Sequence, residues 1–147
     1  LKNAANLVDE SNVVLLTEES RLMAGAKIFS ANCAVCHAND GGGGVGPNLT
    51  DSYWLHGNSI KDIFRVIKYG VPAKGMIPWK DQLNPTKMQE VSSYILSLTG
   101  TVPANPKEAQ GDLFTMEETD SSSTSNIEML NDSTAVQGQE EMAKASQ

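Results

Sequence analysis

A chain of 147 residues with a formal net charge of −7 has room for one domain of ordinary size, not two. Residues 17–100 hold eight Lys/Arg and seven Asp/Glu, whereas residues 101–147 hold two and nine. The excess negative charge therefore lies in the last third, which argues against nucleic-acid binding, and no run of 18 apolar residues offers a membrane span.

The chain opens at Leu1-Lys2-Asn3 with neither an initiator Met nor a signal peptide, and it reads as a processed piece of a longer protein. Residues 1–16 are a lead-in segment, with Val13, Val14, Leu15 and Leu16 expected to pack on the domain. Thr17 is the expected N-cap of a first helix, with Glu18 and Glu19 in the first turn, where the helix dipole favours anions. Its apolar stripe is Leu22, Ala26, Phe29 and Cys33, spaced as one face of a 3.6-residue period. A long irregular stretch follows over 38–58, containing Gly41-Gly42-Gly43-Gly44 and Gly46-Pro47. A loop of this length in a small domain is normally functional, or organised by something other than backbone pairing.

A second helix is predicted from Ser59, with Asp62 completing a short capping box. Ile60, Ile63, Phe64 and Ile67 form its buried face, and Gly70 ends it. A second loop, 71–83, carries Pro72, Gly75, Met76, Pro78 and Trp79. The third helix is the best marked: Asn84-Pro85 supplies N-cap and first position, Met88, Val91, Ile95 and Leu98 the stripe, and Gly100 the stop. No strand pattern of period two is convincing. The expected fold class is all-α, with a domain over 17–100 and an extended segment over 101–118 packing on or near it. Residues 119–147, rich in Ser, Thr, Gln and acidic side chains, read as a disordered tail in which 140–145 could form a frayed helix. Three apolar stripes make an undersized core, so something non-protein is expected to fill the middle.

The chemistry is concentrated in Cys33-Ala34-Val35-Cys36-His37, which contains both cysteines and one of the two histidines. At the end of a helix this spacing reads as a c-type haem attachment site. Residues three apart share one side of a turn, so both sulfurs can add to the vinyl groups along one haem edge, and the next residue projects beneath the iron. A redox dithiol, a zinc site and a plain disulfide are the alternatives. The first wants a strand–helix context, the second needs four ligands at other spacings, and the third needs only an oxidising compartment. For a second axial ligand the candidates are Met23, Met76, Met88, Met116, Met129, Met142 and His56. Met76 is preferred because Gly75-Met76-Ile77-Pro78-Trp79 can hold a thioether rigidly, whereas Met23 and Met88 lie within helices as core filler. His56 would instead give bis-His ligation.

Residues 17–100 resemble a class I cytochrome c domain: three main helices around one covalently attached haem c. The resemblance implies that Gly25 and Phe29 of the first helix pack against Tyr94 of the last. It also implies that Gly46-Pro47-Asn48-Leu49 forms a loop on the histidine side, with the Pro47 carbonyl accepting the Nδ1 proton of His37. Trp79 would cover the haem face or edge. Tyr53-Trp54-Leu55-His56-Gly57, Ser59-Ile60-Lys61-Asp62-Ile63-Phe64, Ile67-Lys68-Tyr69-Gly70-Val71-Pro72 and Lys74-Gly75-Met76 are similar to the C-terminal cytochrome domain of cbb3-type cytochrome c oxidase subunit III. That similarity runs from the lead-in to about Phe114. Many members of that family carry two C-x-x-C-H sites and a membrane helix; this sequence has one site and no such helix.

The resemblance implies an electron-transfer domain, not an enzyme by itself. Cys33 and Cys36 would attach the haem, His37 and Met76 would ligate iron, and Pro47, Tyr53, Trp54 and Trp79 would contact the group. Expected partners are the other subunits of a respiratory oxidase and a redox protein, with tethering through an upstream segment on the periplasmic side of the inner membrane. A free periplasmic carrier, a cytochrome subunit of a dehydrogenase, and a haem sensor or peroxidase-like enzyme are the competing readings.

Overall fold

The computed structural model describes residues 7–115. Residues 7–114 belong to one unit; the tail expected over 119–147 lies outside the described residues. Among the described residues four α-helices follow one another: α1 (Glu19–Asn32), α2 (Ala34–His37), α3 (Ile60–Tyr69) and α4 (Pro85–Ser97). A single 3₁₀ turn at Pro72–Lys74 lies between α3 and α4.

The helix α4 is the centre. It packs most extensively on α1 and next on α3. The crossing with α1 is made by Gly25, where a Cβ would come within 2.2 Å of the Glu90 carbonyl oxygen. Beside it Phe29 meets Tyr94 edge to face, with ring centroids 5.5 Å apart. Arg21 Nε donates to Glu90 Oε1 at 2.8 Å on the same seam. The buried positions of α1 are therefore Gly25 and Phe29. The expected stripe is corrected in part: Leu22, Ala26 and Cys33 are only half-buried, because a glycine contact sets the crossing instead of a row of large side chains.

Caps account for most helix boundaries. Ser59 and Asp62 form a reciprocal capping box: Asp62 N donates to Ser59 Oγ at 3.1 Å, and Ser59 N to Asp62 Oδ2 at 3.2 Å. Gly57, with φ +96°, leaves room for that carboxylate. Lys87 N donates to the Asn84 side chain at 2.9 Å, with Pro85 in the first position. The start of α1 differs from expectation: Glu18, not Thr17, is the N-cap, and its side chain makes no cap bond.

Burial on α4 extends beyond its apolar stripe to Gln89, Ser92 and Ser93. Two of these hold the lead-in. Gln89 Nε2 donates to Val14 O at 3.0 Å, and Leu16 N donates to Ser93 Oγ at 3.0 Å. Of the four apolar residues there, Val13 is buried, while Val14 and Leu15 are exposed. Lys68 Nζ meets Glu10 Oε2 at 3.0 Å, fixing the same segment to α3.

Although no strand pattern is convincing in the sequence, one short ladder forms among the described residues. β1 (Tyr53–Trp54) pairs antiparallel with β2 (Asp112–Leu113), Tyr53 opposite Leu113 and Trp54 opposite Asp112. Two residues cannot display a period of two, and the partners lie far apart in sequence. Among the described residues, no helix is long and apolar enough to cross a membrane.

A candidate haem site at the Cys33–His37 turn

The helix α1 ends at Cys33, and α2 begins immediately after it. Cys36 N and His37 N both donate back to Cys33 O, at 3.1 and 3.0 Å. The cysteine–histidine motif thus occupies a short turn of its own after α1, instead of the last turn of that helix as expected. Ala38 follows with φ +64°, a rare conformation for a residue with a side chain, and turns the chain into the glycine loop.

That loop folds back under His37. His37 Nδ1 lies 2.9 Å from the Pro47 carbonyl oxygen. Because a carbonyl can only accept, Nδ1 carries the proton, and in the neutral ring Nε2 keeps its lone pair. Burial holds the His37 pKa below the ordinary histidine value; the Pro47 carbonyl opposes the shift and the Lys107 ammonium adds to it. A neutral imidazole with a fixed tautomer is the form a metal takes. Gly46 lies flat on the ring, and a Cβ there would come within 2.6 Å of His37 Cε1. Only glycine permits that approach.

Both cysteines are free thiols and half-buried. Burial, and secondarily Cys36, pushes the Cys33 thiol up to about 11. A redox dithiol is activated by the opposite shift, toward thiolate. Among the described residues, no three His, Cys, Asp or Glu side chains converge as a metal cage. The donor set is two thiols and one imidazole nitrogen on one turn, which fits a porphyrin bringing its own four nitrogens.

The second loop is fixed from α3. Val71 and Met76 form an isolated antiparallel bridge, with Val71 N donating to Met76 O at 2.9 Å and Met76 N to Val71 O at 3.2 Å. Gly70 lies against this loop, where a Cβ would meet Met76 O at 2.5 Å. Trp79 N donates to Ile67 O at 3.0 Å. Cys33, Met76 and Trp79 are all partly buried against the same hydrophobic core. Of the other expected contacts, Trp54 is buried and Tyr53, its neighbour on β1, is 38% exposed. His56 is exposed on a groove with Arg65, Tyr69 and Pro72. Met23 is exposed on α1, Met88 is buried in the core, and Met116, Met129 and Met142 lie outside the described residues.

Sequence reasoning missed Lys107. Its backbone N donates to Gly42 O at 2.8 Å, and its own carbonyl accepts from Asn48 Nδ2 at 3.1 Å. The only hint in the sequence is the glycine run, which leaves backbone open to a second segment.

The family described as cytochrome c oxidase, cbb3-type, subunit III matches residues 20–95. The cbb3-type cytochrome c oxidase subunit FixP of Sinorhizobium medicae is 37% identical over 112 residues, covering 70% of this chain and 38% of that protein. Subunit CcoP of Rhodobacter capsulatus is 36% identical over 94 residues, covering 56% and 31%. The chain thus spans only about a third of the length of these relatives, 38% of one and 31% of the other. Among solved structures, cytochrome cL of Methylophaga aminisulfidivorans superposes with a TM-score of 0.54 at 25% identity, over 56% of each chain. The fold is that of a class I cytochrome c, and membership of a cytochrome c family implies haem c. The match over more than half its length shows that the chain belongs to the cbb3-type cytochrome c oxidase subunit III family.

Proposed function

We propose that this chain is a haem c electron-transfer domain that relays single electrons to the catalytic subunit of a cbb3-type terminal oxidase in aerobic respiration. The observation that carries the reading is the Cys33–His37 turn, with its imidazole fixed by the Pro47 carbonyl at 2.9 Å. In this reading one haem would be attached through Cys33 and Cys36, and His37 Nε2 and the Met76 thioether would hold its iron. When bound, the haem supplies reversible one-electron chemistry at its iron.

The chain's own residues do the positioning. Pro47 and Gly46 fix the tautomer and plane of the His37 ring. The Val71 bridge holds the backbone of Met76, so that loop keeps its shape on electron exchange. The buried Trp54 and the partly buried Trp79 would exclude water from the group, with the exposed Tyr53 beside them. With His37 and Met76 both on the iron, no position would be left open for a substrate, and the domain would act as a non-catalytic subunit.

Relatives named as cbb3-type oxidase subunits support other subunits of such a complex as partners, together with a redox protein. The same reading puts the domain on the periplasmic side of the inner membrane, tethered by a segment outside this chain. Rapid mixing of the reduced protein with the isolated catalytic subunit tests it. Oxidation of the haem at a rate that scales with the catalytic subunit is expected. No oxidation by that subunit, with normal oxidation by a soluble acceptor, would favour a free carrier.

A further inference from the structure

The loop that carries Gly46 and Pro47 is held from outside by a segment some sixty residues further on. Pro103 is buried against Gly42, where a Cβ would come within 2.7 Å of the proline Cβ. Ala104 N donates to Asp40 Oδ2 at 3.0 Å. Lys107 is bonded on both sides of its backbone, to Gly42 O and from Asn48 Nδ2. Its side chain then turns over the loop. Gly43, with φ +98°, leaves room for it, since a Cβ there would be 2.8 Å from that of Lys107. The ammonium ends 3.4 Å from Val45 O and 3.5 Å from Gly46 O. Gly46 is the residue lying on the His37 ring, so one peptide separates a tethered positive charge from that imidazole.

We propose that Lys107 is a positioning residue for the His37 side of the site, its backbone pinning the glycine loop and its ammonium biasing a redox centre bound at His37 toward the reduced state. The inference rests on His37 as an iron ligand. A fixed positive charge stabilises the oxidation state that carries one more electron. Lys107 is half-buried, and the two loop carbonyls hold its ammonium one peptide away from the imidazole, within the range where a single charge acts. The two carbonyls that receive the ammonium also stiffen the peptide on the imidazole face.

The test uses the full chain, haem-loaded, as Lys107→Met and Lys107→Arg. Covalent haem is first quantified in each by pyridine haemochrome, and each is then titrated spectroelectrochemically. At a fixed applied potential Lys107→Met should lower the ferrous-to-ferric ratio about threefold, equivalent to about 28 mV at 59 mV per decade for one electron. Lys107→Arg should retain most of the parent ratio. An unchanged potential in haem-loaded Lys107→Met overturns the assignment. An equal shift in both variants overturns it as well, because packing and not charge would then be the cause. Parent protein without covalent haem would overturn the reading of the site itself, and this inference with it.

Discussion

His37 donates its Nδ1 proton to the Pro47 carbonyl at 2.9 Å, and Gly46, the residue before that proline, packs on the same ring. The tautomer, the ring plane and the loop therefore form one mechanical unit. Gly46→Ala forces a Cβ to within 2.6 Å of His37 Cε1, so the loop must move off the ring. The expected loss is about 1–3 kcal/mol, the usual cost of overpacking. Urea unfolding of parent and variant measures it, and equal midpoints would mean the loop does not lie on the imidazole.

The α1–α4 crossing predicts a second sensitive glycine. Gly25→Ala sets a Cβ 2.2 Å from Glu90 O, against backbone that cannot step aside as a side chain could. A loss at or above about 1–3 kcal/mol is expected. Phe29→Ala, which empties a fully buried site beside Tyr94, should cost about 3–5 kcal/mol. Thermal or urea melts of the two variants provide the check, and near-parent stability of Gly25→Ala would contradict the crossing.

These two glycines divide what the sequence makes legible from what it does not. The helices α3 and α4 are marked by local chemistry: Ser59 with Asp62, and Asn84 with Pro85, bond within a few residues of themselves. The cysteine–histidine motif is equally local, as is Met76 between glycine and proline. By contrast, β1 pairs with residues near 112, and Lys107 grips Gly42 and Asn48, across separations that leave no periodicity to read. The start of α1 is displaced because Glu18 caps without a side-chain bond. Gln89 and Ser93 are polar yet buried because they bind lead-in backbone, which a hydrophobic stripe does not reveal.

The proposed Met76 ligation separates the two loop candidates. Met76→Ala should lower the reduction potential and admit carbon monoxide to the reduced protein, because methionine ligation favours Fe(II) and closes the site. His56→Ala, altering an exposed groove residue, should leave potential and carbon monoxide binding close to parent. Spectroelectrochemistry with carbon monoxide titration distinguishes them; reversed behaviour would reassign the ligand.

The Glu10–Lys68 pair gives stability a pH dependence. Glu10 is held below the ordinary glutamate value of 4.5, first by its own backbone hydrogen bond and then by Lys68. Its contribution is present above 4.5 and is lost as pH falls through the lower folded value. Lys68 is raised above 10.5, first by its hydrogen bond to Glu10, so its contribution is complete below that value and fades at higher pH. Glu10→Gln should cost at most about 1 kcal/mol at pH 7 and nothing at pH 2. Urea midpoints at the two pH values measure the difference, and an equal cost at both would show that charge is not involved.

In the proposed site Cys33 and Cys36 carry a haem whose iron His37 ligates. Mass spectrometry of the denatured, acid-acetone-extracted protein, expressed with a c-type maturation system, tests it most directly. The expected result is the mass of the polypeptide plus one haem, with the added mass on the peptide containing Cys33 and Cys36. Loss of the added mass is expected when both are changed to Ala. An extracted polypeptide at its unmodified mass, or a haem retained by the double variant, would contradict it.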